Sequence, residues 1–224
     1  MLLTERGRGL PREQIVDRLW PHLSPEAAGR DFKVALNALN KAIEPGHSSE
    51  APFSFLAREG TSYQLRPEAD IWIDSTEFER ECETGIRLLG TSDTGEAVSH
   101  LQSALHLYRG DYLPDALYED WASDERERLL SLFLRAADKL AEAYVESARY
   151  DEAIEVCQRI LARDPCWERA YRMMMMSHER QGNRSLATRS YQRCVDALRE
   201  ELGAEPSPAT TALYRQVLES PTPE

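Results

Sequence analysis

Leu140-Ala-Glu-Ala-Tyr144, Ala153-Ile-Glu-Val-Cys157-Gln-Arg-Ile160 and Asp164-Pro165 set out a pattern that returns after 34 residues at Met174, Ala187, Tyr191 and Cys194. In a 34-residue unit with Ala153 at position twenty, Leu140 falls at seven, Tyr144 at eleven, Cys157 at twenty-four, Ile160 at twenty-seven and Pro165 at thirty-two. Ala187 then takes the second position twenty, with Met174 at seven, Tyr191 at twenty-four and Cys194 at twenty-seven. A fixed period of this length marks a stacked helical hairpin, in which small residues let two helices approach and a proline ends the second. Arg149-Tyr-Asp and Gln181-Gly-Asn are the expected turns within each pair.

The repeat resembles the tetratricopeptide repeat, and residues 75–108 read as a more degenerate earlier unit. There Phe78, Cys82, Ile86 and Leu89 share one face and Gly90 closes the helix. A second helix follows the Thr91–Gly95 turn, with Ala97, Leu101, Ala104, Leu105 and Tyr108 inward. Arg109-Gly-Asp-Tyr-Leu-Pro114 breaks the pattern, and a long helix is expected from about Trp121 to Ala148. Met173-Met-Met-Met176 must point around more than a full helical turn, so core packing is the primary reading and a ligand or peptide groove the other.

Upstream the signals change. Pro11 suits a first helical turn, followed by the apolar positions Ile15, Val16 and Leu19. Ser24 is an N-cap with Pro25 behind it, and Phe32, Ala35, Leu36, Leu39 and Ile43 recur at helical steps until Glu44-Pro45-Gly46. Phe53–Ala57 and Tyr63–Arg66 flank Glu59-Gly-Thr-Ser62, a glycine-turn hairpin. Pro67 to Asp70 reads as a connector into the apolar run Ile71-Trp72-Ile73.

Composition excludes several classes. Of 224 residues, 42% are hydrophobic and 29% charged, the balance of a globular protein rather than a disordered one. No stretch approaches the roughly 18 apolar residues of a membrane span, and Met1–Leu10 has no apolar core of a secretory signal, so the expectation is cytoplasmic. Cys82, Cys157, Cys166 and Cys194 lack zinc or redox spacing, and His100, His106 and His178 have no carboxylate or cysteine at a telling interval. No metal or cofactor is expected. There is no phosphate-binding glycine loop, nucleophile elbow or metalloprotease motif, so an enzyme is the least favoured class.

Charge is divided unevenly. Residues 1–66 hold 9 Lys+Arg against 8 Asp+Glu, and residues 67–224 hold 18 against 31, a net of +1 and −13 within the total of −12. The acidic part is therefore not the phosphate-binding part.

The order of elements resembles the antibiotic regulatory protein (SARP) type of activator, which joins an OmpR-like winged helix to a tetratricopeptide-like bacterial transcriptional activator domain. The resemblance rests on Asp74-Ser-Thr-Glu-Phe-Glu79, Leu105-His-Leu-Tyr-Arg-Gly-Asp-Tyr-Leu-Pro114, Trp121-Ala-Ser-Asp-Glu-Arg126 and Glu201-Leu-Gly-Ala-Glu-Pro-Ser-Pro208 through Tyr214. It implies a mainly α fold: a partial winged helix-turn-helix with a β-hairpin wing over residues 1–66, then a helical repeat domain over 71–220. Pro11–Pro21 would be the positioning helix, Ala27–Ile43 the recognition helix and Phe53–Arg66 the wing. The family's N-terminal sheet and most of its first helix have no counterpart, with Met1-Leu2-Leu3 as a stub of that helix.

On the helix face away from the apolar stripe stand Arg30, Lys33, Asn37, Asn40 and Lys41, and Arg58 and Arg66 flank the hairpin. Asn can read adenine, and Arg or Lys can bind guanine or phosphate. The resemblance implies DNA as partner, self-association on repeated half-sites and contact with RNA polymerase. Three readings stay open: a DNA-binding activator, a protein-interaction or effector-sensing repeat module that does not bind DNA on its own, and a fragment of a larger regulator.

Overall fold

The computed structural model describes residues 1–5, 7–46, 53–66, 68–90 and 94–219. Pro67 of the expected connector and Thr91–Asp93 of the expected turn lie outside them. The chain divides into two units, Met1–Ile73 with Tyr112–Glu127, and Asp74–Asp111 with Arg128–Glu224.

The first unit begins with β1 (Leu10–Pro11), α1 (Arg12–Leu19) and α2 (Pro25–Ile43), followed by β2 (Leu56–Glu59) and β3 (Ser62–Leu65). Ser24 caps α2 by accepting the Ala27 N–H at 3.4 Å, and Pro25 takes the first helical position. The hairpin is tighter than the expected four-residue turn. Glu59 and Ser62 pair with each other, leaving Gly60-Thr61 as a two-residue loop, with Gly60 at φ +60° where a side chain would be strained. The sequence reading also missed a strand. Leu10 and Pro11 pair with Tyr63 and Ser62, giving a three-stranded antiparallel sheet in the order β1-β3-β2. Pro11 therefore precedes α1 instead of opening it, and lies at the sheet edge where its missing N–H is tolerated.

Leu10, Ile15, Phe32 and Tyr63 form this unit's buried core, with Phe32 and Tyr63 edge-to-face at 5.1 Å between ring centroids. Beside the core an apolar cavity of about 700 Å³ opens between α1, α2 and the hairpin. Leu39 and Ile43, read from sequence as core, line it and remain exposed at 41% and 39%. Ala35 is exposed as well. Helical periodicity marks the apolar face of α2, but the row of Ala35, Leu39 and Ile43 stays open.

The second unit is a run of antiparallel helices: α3 (Asp74–Leu88), α4 (Thr94–Leu107), most of α5 (Ser123–Glu146), α6 (Tyr150–Leu161), α7 (Glu168–Arg180), α8 (Arg184–Leu202) and α9 (Pro208–Glu219). The small residues set by the repeat lie where helices touch: Ala97, Ala153 and Ala187 are each 0% exposed. Phe78, Tyr108 and Phe133 form an aromatic column, with centroid spacings of 5.4 and 4.4 Å. Met173, Met174 and Met175 are all buried, because α7 packs against α6, α8 and α9 and so has apolar neighbours around most of its circumference. Met176, the fourth of the run, is half-buried, so core packing accounts for three of the four methionines.

One local expectation shifts. Tyr150 and Asp151 already belong to α6, and the turn before it is Ser147–Arg149, with Ala148 at φ 57°. By backbone contacts, the stretch Tyr112–Glu127 groups with the first unit. It holds two short 3-10 turns, Pro114–Ala116 and Asp120–Ala122, and the first turn of α5, where Arg126 donates to the Tyr112 and Ala116 carbonyls at 3.2 and 2.9 Å.

Candidate nucleic-acid interface

The geometry of α2 follows from its period. Arg30, Lys33, Asn37 and Lys41 recur at steps of three, four and four residues, which places them on one stripe of the helix. All four are exposed, and the opposite row contains buried Ala28 and Phe32 with half-buried Leu36. Val34 stands on the polar stripe at 68% exposure and was not singled out by sequence reasoning, which sorted apolar residues into the core. An exposed apolar side chain between polar ones suits contact with a thymine methyl.

Asn40 requires a correction. It is 6% exposed and lies in the row of Phe32 and Leu36, four and eight residues on, so it does not share the solvent-facing stripe. Polarity alone had assigned it to the wrong face. The stripe's charge is modest: α2 carries Arg30, Lys33 and Lys41 against Glu26 and Asp31.

The hairpin is braced against both helices. Glu44, which ends α2, accepts the backbone N–H groups of Ser54 and Phe55 at 2.6 and 3.1 Å. The Arg12 N–H at the start of α1 donates to the Thr61 carbonyl at 2.9 Å, and the Arg12 guanidinium lies 5.7 Å from the Phe32 ring centroid. These ties set the wing relative to the exposed stripe of α2. Arg58 and Arg66 occupy different places on the hairpin. Arg58 lies next to the turn, its Nε–H donating to the Gly60 carbonyl at 2.9 Å and its guanidinium 5.9 Å from the Tyr63 ring. Arg66 is half-buried at the opposite end, donating from Nε to the Phe53 carbonyl at 2.7 Å. Arg58 is thus near the tip, and Arg66 anchors the base.

Among the described residues no cluster of three or more metal-type ligands occurs. His100 does have a carboxylate partner, which its sequence neighbourhood did not reveal: Glu81 Oε2 lies 2.7 Å from Nδ1 across the α3–α4 pair. Glu81 also accepts from Arg80. Among the described residues no helix is long and apolar enough to cross a membrane.

Comparison with known proteins matches this architecture. The model of the bacterial transcriptional activator domain covers residues 73–218. Over 97% of this chain and 70% of the relative, the sequence is 28% identical to the transcriptional regulatory protein MoaR1 of Mycobacterium tuberculosis. It is 23% identical to the regulatory protein AfsR of Streptomyces coelicolor over 98% of this chain, but that span is 21% of AfsR. A solved structure of Mycobacterium tuberculosis EmbR in complex with a low-affinity phosphopeptide superposes with a TM-score of 0.80 at 23% identity, covering 97% of this chain and 57% of that one. The chain belongs to the bacterial transcriptional activator domain family, among the transcriptional regulators of the SARP type.

Proposed function

We propose that the protein is a non-catalytic, DNA-binding transcription activator. In this reading α2 enters the major groove and the Gly60 turn meets the adjacent backbone. The helical repeats support self-association and contact RNA polymerase. The observation that carries the DNA reading is the exposed stripe Arg30, Lys33, Asn37 and Lys41, opposite a buried face on a helix braced by the hairpin. Lys33 and Lys41 supply phosphate contacts, Asn37 and Arg30 are placed for base edges, and Arg58 faces the backbone from the wing tip. With three cations and two carboxylates on α2, non-specific affinity is low and selectivity depends on base contacts.

The test is binding of the chain to duplex DNA from the region upstream of its own gene, titrated with salt. Lys33→Ala weakens binding to all sequences alike and lowers the salt slope by about one. Asn37→Ala narrows the gap between specific and random DNA by about 1–3 kcal/mol. A folded chain that fails to bind at low salt overturns the proposal.

The second reading, a partner- or effector-binding module that does not bind DNA alone, is favoured by one observation, the open apolar cavity of about 700 Å³ beside α2. Saturable binding of an apolar probe there, with no DNA binding, would establish it.

A further inference from the structure

The helical unit carries 23 Asp+Glu against 17 Lys+Arg over residues 74–111 and 128–224, yet it contains a pocket of about 420 Å³ whose charged lining is entirely basic. Its floor is the buried pair Tyr108 and Phe133, stacked at 4.4 Å, and its cations are Arg109 at the end of α4 and Arg159 and Arg163 at the end of α6. Residues separated by some fifty positions in the chain are brought to one concave surface.

Like charges do not converge without compensation, and here the compensation is incomplete. Arg159 Nη2 donates to the carbonyls of Leu105 and Tyr108 at 2.7 and 3.1 Å, satisfying the C-terminal end of α4. Its guanidinium lies 5.5 Å from the Phe133 ring, and that of Arg163 lies 5.9 Å from the Tyr108 ring. Burial, and then the neighbouring Arg163, push the Arg159 pKa down. Among the described residues a single carboxylate reaches this cluster, Asp111, whose Oδ1 lies 3.3 Å from Arg163 Nη1 and is itself 41% exposed. Three guanidinium groups against one carboxylate leave about two positive charges over an aromatic floor.

We propose that this pocket binds a phosphate monoester dianion, with Arg109 and Arg163 as its principal ligands and Arg159 as the fixed charge behind them. A dianion matches the residual charge, which a single carboxylate does not. The planar donor forks of arginine suit a phosphoryl group bidentately. The aromatic floor accommodates the ester's organic part. The phosphate arrives either on a protein side chain or on a small ester. The assignment is independent of the DNA reading, which concerns the other unit.

The experiment measures calorimetric binding of the full chain to inorganic phosphate, phenyl phosphate, and a serine peptide with and without phosphorylation, at constant ionic strength. Saturable binding of the phosphorylated probes is expected. Arg109→Gln and Arg163→Gln each weaken it about tenfold. Lys139→Gln, which removes a cation that does not line the pocket, leaves it unchanged. Arg159→Gln also removes the α4 carbonyl partner, so it is not used. A phosphopeptide that binds more tightly than phenyl phosphate identifies a protein-borne phosphate, and the reverse order identifies a small ester; both outcomes support the site. Absence of saturable binding, or equal weakening by all three variants, overturns the proposal. So does loss of duplex DNA binding in Arg163→Gln that matches the loss of phosphate binding, which would assign the pocket to a nucleic-acid backbone.

Discussion

Glu44 caps α2 and accepts the backbone N–H of Ser54 at 2.6 Å, so the residue that closes the candidate recognition helix also holds the entry to the hairpin. A carboxylate that bonds two successive amides, here Ser54 and Phe55, takes the place of strand partners for those two N–H groups. Glu44→Ala leaves an exposed and a half-buried donor to water, so it is expected to cost about 0.5–1.5 kcal/mol in the first unit. If the DNA reading holds, affinity falls while the salt slope stays constant, because no phosphate contact is removed. A lowered slope would make Glu44 part of the contact surface instead of its brace.

Gly85 is packed too tightly for any side chain. A Cβ there would lie 2.7 Å from Leu101 Cγ and 3.1 Å from the Ala97 carbonyl, and Leu101 is 0% exposed and has no space to yield. Alanine improves helix propensity by up to about 1 kcal/mol, whereas overpacking costs about 1–3 kcal/mol. Gly85→Ala is therefore expected to lower the urea midpoint, against the propensity trend. An increase would mean that α3 and α4 separate without penalty.

Acid should loosen the docking of α9. Burial raises the Glu168 pKa, but the Thr210 and Ser207 hydroxyls, the Ser207 N–H and Arg172 outweigh it and hold the carboxyl below its usual 4.5. A lowered folded-state pKa means that the unfolded chain takes up the proton first. The stabilisation is complete above about pH 4.5 and is lost as pH falls through the folded value. Asp138, whose pKa is raised chiefly by burial, acts in the opposite sense, so the wild-type profile alone does not isolate Glu168. The stability difference between wild type and Glu168→Gln, measured by urea unfolding, should shrink from pH 6 towards pH 3. A constant difference would remove Glu168 from the acid response.

Thiol labelling should sort the cysteines. Cys82, Cys157 and Cys194 are fully buried, and burial pushes each thiol up to about 12, leaving almost no thiolate at pH 8. Cys166 is the partly exposed one. Burial, and then Asp164 and Glu201, raise the Cys166 thiol too, so a disulfide reagent at pH 8 should modify Cys166 first because it is accessible, and the other three only at the rate of unfolding. Rapid reaction at more than one site would show that the repeat core opens locally.

The helical repeat was legible because its evidence is local and redundant. Ala153 and Ala187 recur in phase, Pro165 and Gly182 punctuate the helices, and a face of apolar residues at helical steps can pack in few ways. Ser24-Pro25 marked the start of α2 for the same reason, since capping concerns only neighbouring atoms. The candidate DNA stripe was legible as far as periodicity reaches, which is the set Arg30, Lys33, Asn37 and Lys41.

What tertiary structure alone decided depends on which distant residues cover a given face. Periodicity aligns Asn40 with Phe32, but it does not say that this row is covered while Leu39 and Ile43 stay open. Leu10-Pro11 is too short to read as a strand, and becomes one because Tyr63 and Ser62 offer it a ladder. Glu81 meets His100, and Arg109 meets Arg159 and Arg163, through the crossing of helices rather than through any interval in the chain. Burial and electrostatic pairing are properties of assembled surfaces. The sequence by itself determines the helices and their small-residue contacts, and the packed chain determines which charges converge.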